Sequence, residues 1–282
     1  MIPAQFEYTR ASTLEEAIEA LRQGGEDAKL LAGGHSLIPL MKLRLATPSL
    51  LIDIGRLPGL GSVQREDGAF RIGALVRHAQ LERSPELGLI ARAAGTIADQ
   101  QVRNRGTIGG SLAHGDPASD LPGVVLALEG TVTVQGPGGQ RTIAASELFR
   151  DYLQTALEHD EVLTEIHVPA AEGYGFSYQK FNRRAEDWAM VAVSALVKRG
   201  ADGSCEDVRV ALTNMGATPL RASATEQALR GRPLEPDEIA RAAAQAAEGT
   251  DPPADLNASA DYKRHLARVL CERALREAAG IA

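Results

Sequence analysis

Two pairs of consecutive glycines, each set among small and hydroxyl-bearing residues, constrain the fold of this chain more than any other feature. The first pair lies in Ala32-Gly33-Gly34-His35-Ser36 and the second in Thr107-Ile108-Gly109-Gly110-Ser111. Glycine lets a backbone turn sharply and approach another group closely, and consecutive N–H groups in such a turn form a concave anion site. The two turns predict one long, phosphate-bearing ligand that is held from both sides.

The spacing of these glycines excludes the common nucleotide-binding loops. Neither run has the G-x-G-x-x-G pattern of a dinucleotide fold or the G-x-x-x-x-G-K-[ST] pattern of a P-loop. A different architecture is therefore expected to bind the ligand.

Length and charge narrow the class of protein. A chain of 282 residues predicts two domains, or one domain with a clear subdivision. The net charge of −7 argues against nucleic acid or an anionic membrane surface as a partner. No apolar run approaches the roughly 20 residues that span a bilayer, and the N-terminus lacks the pattern of a secretory signal. We expect a cytoplasmic protein with no membrane span.

Cysteine and histidine usage indicates that any redox chemistry comes from an organic cofactor. The only cysteines, Cys205 and Cys271, lie far apart, and an iron–sulfur cluster normally needs four thiolates. The six histidines show no H-x-x-x-H spacing, so a metal site is not expected.

Hydrophobic periodicity and turn signals predict three successive units. Thr13 to Glu16 is a capping box, and the helix that it begins stops at Gly24-Gly25. The other predicted elements are strands at 29–32, 50–54, 70–73, 131–134 and 163–168, a helix at 86–97, an antiparallel meander of strands at 175–181, 189–198 and 208–213, and alanine-rich helices at 222–230, 235–247 and 258–279. Residues 136–139 predict a hairpin turn, and residues 171–173 predict a domain boundary.

Three motifs, taken in order, resemble one family. They are Leu30–Leu37 (LLAGGHSL), Thr107–Ser111 (TIGGS) with Asp116–Asp120 following, and Lys180 ahead of Arg184–Ala189. Together they closely resemble the FAD-binding medium subunit of the molybdenum hydroxylases, especially the carbon monoxide dehydrogenase type, with relatives in xanthine dehydrogenase. The resemblance covers essentially the whole chain.

The resemblance implies an α+β fold. Residues 1–172 would form an FAD-binding domain of the vanillyl-alcohol oxidase (PCMH) type, with subdomains of about 1–55 and 56–172. Residues 173–282 would form a smaller α+β domain with a three-stranded antiparallel sheet and helices. FAD would lie extended and non-covalently bound between the two subdomains.

The same resemblance implies which residues hold FAD. The two glycine runs would wrap the pyrophosphate and ribityl chain, and Asp120 would accept hydrogen bonds from sugar hydroxyls. Leu163 would line the adenine end, and Lys180 would lie near the flavin. Ile97 stands where some relatives place a phenylalanine against the ring, which weakens any expectation of aromatic stacking there. The full set is Leu30, Leu31, Ala32, Gly33, Gly34, His35, Ser36, Leu37, Ile97, Thr107, Ile108, Gly109, Gly110, Ser111, Asp120, Leu163 and Lys180.

Some nearby residues keep two interpretations. The wider group contains enzymes that join FAD covalently to a histidine in a run like that of His35, whereas medium subunits bind FAD non-covalently, which is the expectation here. His114 either contacts phosphate or stabilises a turn, and Asp116 either caps that turn or contacts the cofactor. Arg103 and Arg105 are either solvated or face a partner subunit.

Trp188, the only tryptophan, is assigned to the core or an interface rather than to the flavin.

The function implied is electron transfer within a complex. A large subunit with a molybdenum cofactor would oxidise the substrate, and a small subunit with [2Fe-2S] clusters would pass electrons singly to FAD on this chain. Quinone or NAD would be the external acceptor, and the family suggests a dimer of heterotrimers. A self-sufficient flavin oxidase or reductase and an assembly subunit that has lost its cofactor are the competing interpretations.

Overall fold

A small parallel sheet with two helices forms the N-terminal part of the molecule, which we call lobe 1. The computed structural model describes residues 2–281. The elements of lobe 1 are β1 Glu7–Arg10, α1 Leu14–Gly24, β2 Ala28–Leu31, α2 Leu37–Lys42 and β3 Leu50–Asp53. The strand order is β1-β3-β2, and each neighbouring pair is parallel. Parallel strands need crossover connections, and α1 and α2 occupy the connections that lead from β1 to β2 and from β2 to β3.

The predicted capping box of α1 is present in a modified form. Thr13 Oγ1 accepts a hydrogen bond from the Glu16 N–H at 3.2 Å, as expected. The Glu16 carboxylate accepts instead from the N–H of Ser12, at 2.7 Å, one residue before the N-cap. The helix ends at Gly24, and Gly25 then adopts a positive φ of 60°. Local sequence therefore sets both ends of this helix.

Lobe 2 is built on a five-stranded antiparallel sheet with short helices along it. The elements of lobe 2 are β4 Val63–Glu66, β5 Ala69–Gly73, α3 His78–Glu82, α4 Leu89–Ala94, α5 Gln100–Arg103, α6 Ile108–His114, α7 Asp120–Ala127, β6 Thr131–Gly136, β7 Gly139–Ala144, α8 Ala145–Leu148, β8 Phe149–Asp151, β9 Gln154–Thr155 and β10 Val162–Pro169. The strand order in the large sheet is β4-β5-β10-β6-β7, and the hairpin predicted at 136–139 joins β6 to β7.

The single helix predicted at 86–97 is wrong in its extent. Pro85–Leu87 forms a 3-10 turn, and Gly88 follows with a φ of 54°, so the α-helix begins only at Leu89. A left-handed residue interrupts the helical hydrogen-bond pattern, and the apolar periodicity on both sides of Gly88 conceals this break.

The C-terminal domain contains four strands instead of the three predicted. The expected meander is present, and a short fourth strand pairs antiparallel with its last strand, Cys205–Thr213, with Leu220 opposite Leu212 and Arg221 opposite Ala211. Two residues are too few to produce an alternating pattern, which explains why the sequence does not reveal this strand. The elements are β11 Tyr174–Phe181, β12 Val191–Arg199, β13 Cys205–Thr213, β14 Leu220–Arg221, α9 Ser223–Leu229, α10 Pro236–Ala243 and α11 Ala260–Ala278.

The C-terminal sheet is covered on both faces, which explains why β12 is almost continuously apolar. Ala192 and Leu196 belong to the hydrophobic core of lobe 2, together with residues of α4 and α7. Val193 and Val197, which alternate with them, lie in a second core beneath α9, α10 and α11. The domain is therefore bound to lobe 2 by a shared apolar core. The α+β class and the order of a larger domain followed by a smaller one are confirmed.

None of the helices within residues 2–281 is both long enough and apolar enough to cross a bilayer.

Candidate functional site

An elongated cleft of about 580 Å³ lies between lobe 1 and lobe 2 and reaches the start of the C-terminal domain. This volume falls in the range of small-molecule and cofactor sites. Apart from Ile108, every residue that the sequence assigned to ligand binding lines the cleft: Leu30, Leu31, Ala32, Gly33, Gly34, His35, Ser36, Leu37, Ile97, Thr107, Gly109, Gly110, Ser111, Asp120, Leu163 and Lys180. The fold thus brings together residues that are up to 150 positions apart, from Leu30 to Lys180.

Ile108 is outside the cleft lining. Its side chain is fully buried in the core of lobe 2, and its N–H donates to the carbonyl of Val76 at 3.1 Å.

The first glycine loop, residues 33–36, connects β2 to α2 and presents unused backbone donors. Within residues 2–281, no carbonyl or side chain accepts a hydrogen bond from the N–H groups of Gly33, Gly34, His35 or Ser36. Gly34 has a φ of 80°, in the left-handed region that glycine tolerates. A run of N–H groups around a left-handed residue is the arrangement of an anion-binding nest. This loop therefore fits the diphosphate of a dinucleotide.

The second glycine loop, residues 107–111, behaves differently. Thr107 is the N-cap of α6, and its Oγ1 accepts from the Gly110 N–H at 3.1 Å. The Gly109 N–H donates to the carbonyl of Ala74 at 2.9 Å, and the Ser111 N–H donates to that of Thr107 at 3.0 Å. The expectation that both glycine pairs supply free N–H donors is therefore wrong for the second pair.

Protein atoms lie close beside all four glycines, including Gly110, where a Cβ would lie 2.8 Å from Oγ1 of Thr107. A Cβ at Gly33 would lie 2.4 Å from the carbonyl oxygen of Arg105, and one at Gly109 would lie 2.5 Å from Cβ of Ala74. At Gly34 a Cβ would lie 2.7 Å from Cδ1 of Ile38. The space beside these glycines is thus filled by protein atoms and not by a ligand. Gly33 in particular lets lobe 1 lie directly on the backbone that leads into the second loop.

A buried ion pair lines the cleft where lobe 2 meets the C-terminal domain. Lys180 Nζ donates to Asp120 Oδ2 at 3.0 Å, and both side chains are about 95% buried. Tyr178 donates its hydroxyl to Asp120 Oδ1 at 2.5 Å, and Lys180 also donates to the carbonyl of Thr96 at 3.1 Å. Burial raises the pKa of Asp120, opposed by the positive charge of Lys180 and by the hydrogen bond from Tyr178. Asp120, assigned above to sugar hydroxyls, therefore already has one protein donor on each oxygen.

Sequence reasoning missed Tyr178. The signal that would have found it is its position two residues before Lys180 on a strand, since residues i and i+2 lie on one face.

One imidazole belongs to the first loop and a second lies near it. His35 is exposed, and burial of part of its ring together with the nearby Arg105 lowers its pKa. His78 lines the cleft but is only 6% exposed, and burial lowers its pKa to about 4, helped by the charges of His35, Arg77 and Arg103. Within residues 2–281 no hydrogen-bond partner reaches His78 Nδ1. The sequence motifs do not include His78, and no pattern around it marks it as a site residue.

His114 and Asp116 lie beside the second loop. His114 lines the cleft, and burial lowers its pKa. Asp116 Oδ1 accepts from the Ala118 N–H at 2.8 Å, so its carboxylate caps the turn that precedes α7.

The two arginines before the second loop differ in their surroundings. Arg103 is 13% exposed and forms an ion pair with Glu82 at 2.9 Å, while it also donates to the carbonyls of Ile97 and Ala98. Arg103 is thus a structural residue of lobe 2, and Arg105 is exposed.

Trp188 is not a core residue. Its side chain is 52% exposed, and it lines the cleft next to Glu186 and Asp187 on the loop between β11 and β12. Of the two alternatives predicted for this tryptophan, core or interface, the core is therefore wrong, and the interface stays a prediction.

No group of three or more histidine, cysteine, aspartate or glutamate side chains within residues 2–281 is arranged to hold a metal ion. The cleft instead has an anion-binding loop on one side and apolar side chains such as Ile97 and Leu163 along its length. A nucleotide with a diphosphate and flat aromatic ends fits this combination.

Two family descriptions match consecutive parts of the chain. Residues 4–171 match the FAD binding domain in molybdopterin dehydrogenase, and residues 176–278 match the CO dehydrogenase flavoprotein C-terminal domain.

Relatives match over nearly the full length. The carbon monoxide dehydrogenase medium chain of Hydrogenophaga pseudoflava is 44% identical over 99% of this chain and 98% of its own. The 6-hydroxypseudooxynicotine dehydrogenase complex subunit alpha of Paenarthrobacter nicotinovorans is 40% identical over 99% of this chain and 96% of its own. Among solved structures, carbon monoxide dehydrogenase from H. pseudoflava superposes with a TM-score of 0.95 at 45% identity, covering 99% of this chain and 98% of that one. Quinoline 2-oxidoreductase from Pseudomonas putida 86 gives 0.94 at 30% identity, covering 99% of each.

The matches extend across both domains and exceed what fold similarity alone produces. The chain therefore belongs to the family of FAD-binding medium subunits of molybdenum hydroxylases, of the carbon monoxide dehydrogenase type.

Proposed function

We propose that FAD lies extended along the cleft, and that this chain takes electrons from an iron–sulfur partner subunit and passes them to an external acceptor. The observation that carries the proposal is the row of unpartnered N–H groups at residues 33–36, which faces a cleft of cofactor size. Residues 33, 34 and 36 are half-buried and residue 35 is exposed, so these N–H groups are open to the cleft and are expected to donate to an acidic ligand group when the site is filled.

In this proposal the two glycine loops have different roles. Residues 33–36 donate backbone hydrogen bonds to the diphosphate. Residues 107–111 form a close-fitting wall against the sugar and ribityl chain and offer the hydroxyl of Ser111, while the N–H groups of residues 108–111 are used internally. That hydroxyl lies 2.7 Å from the hydroxyl of Ser119, so either serine can turn its proton toward a ligand.

The ends of the cleft are assigned from their chemistry. Leu163 of β10, together with Val162 and residues of β2, forms an apolar region suited to the adenine. Ile97, Lys180 and Trp188 surround the opposite region, which we assign to the flavin ring.

Lys180 is fixed by Asp120 and the Thr96 carbonyl, so its ammonium group is oriented without reorganisation when charge on a neighbouring group changes. Bound FAD supplies the redox chemistry, since a flavin accepts electrons one at a time and releases them in pairs. We assign no general acid or base to this chain.

The partners follow from what the chain lacks and from its relatives. Its two cysteines are buried and lie on different elements of the C-terminal domain, so the [2Fe-2S] clusters are placed on a small partner subunit and the molybdenum cofactor on a large one. A dimer of heterotrimers in the cytoplasm, with quinone or NAD as the acceptor, completes the proposal.

Three measurements test this function. The chain, co-purified with its partners, is expected to show the visible spectrum of oxidised flavin, and all the flavin is expected in the supernatant after acid precipitation because binding is non-covalent. After anaerobic reduction with dithionite, the flavin absorbance should return on addition of either a quinone or NAD. A colourless complex that takes up no FAD contradicts the proposal, and turnover of a small organic donor by the isolated chain would favour a self-sufficient flavin oxidase instead.

A further inference from the structure

The side chain of Arg77 connects the two lobes at the point where the glycine loops meet. Its guanidinium donates from Nη1 to the carbonyl oxygen of Arg105, which lies just before the second loop. From Nη2 it donates to the carbonyl oxygen of Gly55, at 3.4 Å, just after the last strand of lobe 1. One side chain therefore holds backbone groups of both lobes.

The backbone around Arg77 is fixed to lobe 2. The N–H of His78 donates to the carbonyl of Gly106 at 3.0 Å, and the N–H of Ile108 donates to the carbonyl of Val76 at 3.1 Å. These bonds form a short bridge between residue 77 and residue 107. Arg77 is thus rigidly attached beside the second loop, and its side chain extends from there toward lobe 1.

The carbonyl of Arg105 is enclosed between the lobes. On one side it accepts a hydrogen bond from Arg77. On the other side it lies against Gly33, so closely that a Cβ on Gly33 would be 2.4 Å from the carbonyl oxygen. The backbone before the second loop and the first loop therefore meet directly at this carbonyl group.

Arg77 is not held by a carboxylate. Within residues 2–281 it takes part in no ion pair shorter than 4 Å, and it is not among the residues that line the cleft. Burial and the charge of Arg105 lower its pKa, and the charge of Asp53 opposes this. A half-buried arginine whose donors go to backbone carbonyls of two lobes acts on their relative position and does not contact the ligand.

We propose that Arg77 is a positioning residue for FAD, which keeps the two glycine loops at the separation that one diphosphate requires. The inference rests on the proposed placement of FAD between the loops. Without the guanidinium, the lobes gain freedom that binding must remove again, so the affinity for FAD falls while each lobe remains folded.

The variant Arg77→Met tests this, because it keeps most of the side-chain volume and removes every donor. Arg71→Met is the matched control, since Arg71 is on the same lobe and forms only exposed ion pairs with Glu66 and Glu165. We expect Arg77→Met to raise the Kd for FAD, measured by quenching of flavin fluorescence, by about tenfold or more, as loss of charged hydrogen bonds implies. Arg71→Met should leave the Kd within about twofold of the wild-type value.

Chemical rescue separates positioning from general damage. In Arg77→Ala, guanidinium at non-denaturing millimolar concentration should restore much of the FAD affinity, whereas sodium chloride at the same ionic strength should not. If Arg77→Met does not fold, Arg77→Lys is measured instead, and its single ammonium group is expected to weaken binding because it does not span both carbonyls.

An unchanged Kd in the Met or Lys variant, or rescue by sodium chloride equal to that by guanidinium, would overturn the inference. A wild-type chain that binds no FAD would instead overturn the proposed function, so the two failures are distinguishable.

Discussion

The buried imidazole of His78 should make the FAD-free chain lose stability as the pH is lowered. The ring is 6% exposed, its Nδ1 lacks a partner among residues 2–281, and the neighbouring charges of His35, Arg77 and Arg103 are all positive or become so in acid. Burial therefore lowers the pKa of His78 from 6.5 to about 4. Protonation, which water permits readily in the unfolded chain, is opposed in the folded one.

Proton linkage gives the sign and the size of this change in the free energy of unfolding. A histidine whose pKa is lower in the folded state stabilises the fold above the unfolded pKa of 6.5, and this contribution is lost as the pH falls toward the folded value of about 4. With these two values, the loss between pH 7.5 and pH 4.5 is about 2.5 kcal/mol of unfolding free energy. Because the ring is almost fully buried, solvent screening reduces this figure little.

The assay is urea unfolding of FAD-free wild type and His78→Gln at several pH values between 7.5 and 4.5. The absolute stability of the variant is not the readout, since the substitution itself has a cost. Between the two ends of this range, the wild type should lose about 2.5 kcal/mol more than the variant. If the two proteins lose the same free energy within about 0.5 kcal/mol, the reasoning about His78 is refuted.

Three further outcomes are expected. Asp120→Asn should lower the free energy of unfolding, measured with urea, by about 3–5 kcal/mol because it leaves Lys180 charged and buried. The double variant Asp120→Asn with Lys180→Met should lose less free energy than the two single variants combined. Additive losses would contradict the ion pair. Gly33→Ala should raise the Kd for FAD in a flavin fluorescence titration, since its Cβ displaces the Arg105 carbonyl and with it one lobe; an unchanged Kd would contradict the contact. Thr107→Val should cost about 1 kcal/mol of unfolding free energy through loss of the N-cap of α6, and a chemical denaturation curve identical to that of wild type would count against the cap.

The sequence predicts helices, strands and turns correctly where residues close together in the chain determine them. The helix that begins after Thr13 and ends before Gly25, the hairpin at 136–139 and the long strands of the C-terminal meander all follow from caps, glycines and alternation. Where the pattern is too short or is interrupted without a change in polarity, as at β14 and at Gly88, the prediction was wrong.

The residues of the candidate site likewise fall into those that the sequence identifies and those that only the structure reveals. The two glycine runs are recognisable in the sequence from their composition. Resemblance to a family adds Asp120, Leu163 and Lys180, all of which line the cleft. No sequence motif identifies Tyr178 or His78 as a site residue, because their importance comes from burial and from neighbours that are distant in the chain.

The sequence by itself predicted two turns able to approach a phosphate ligand, showed that two cysteines are too few for a four-thiolate cluster, and indicated which family the chain resembles. Only the tertiary structure decided what each turn does. The N–H groups at residues 33–36 remain free because the loop has left the edge strand of the sheet and the following helix begins only at Leu37. The N–H groups at residues 109–111 instead donate to Ala74 and Thr107. Hydrogen-bond satisfaction depends on which groups the fold brings within about 3 Å, and that distance is a property of packing across the chain.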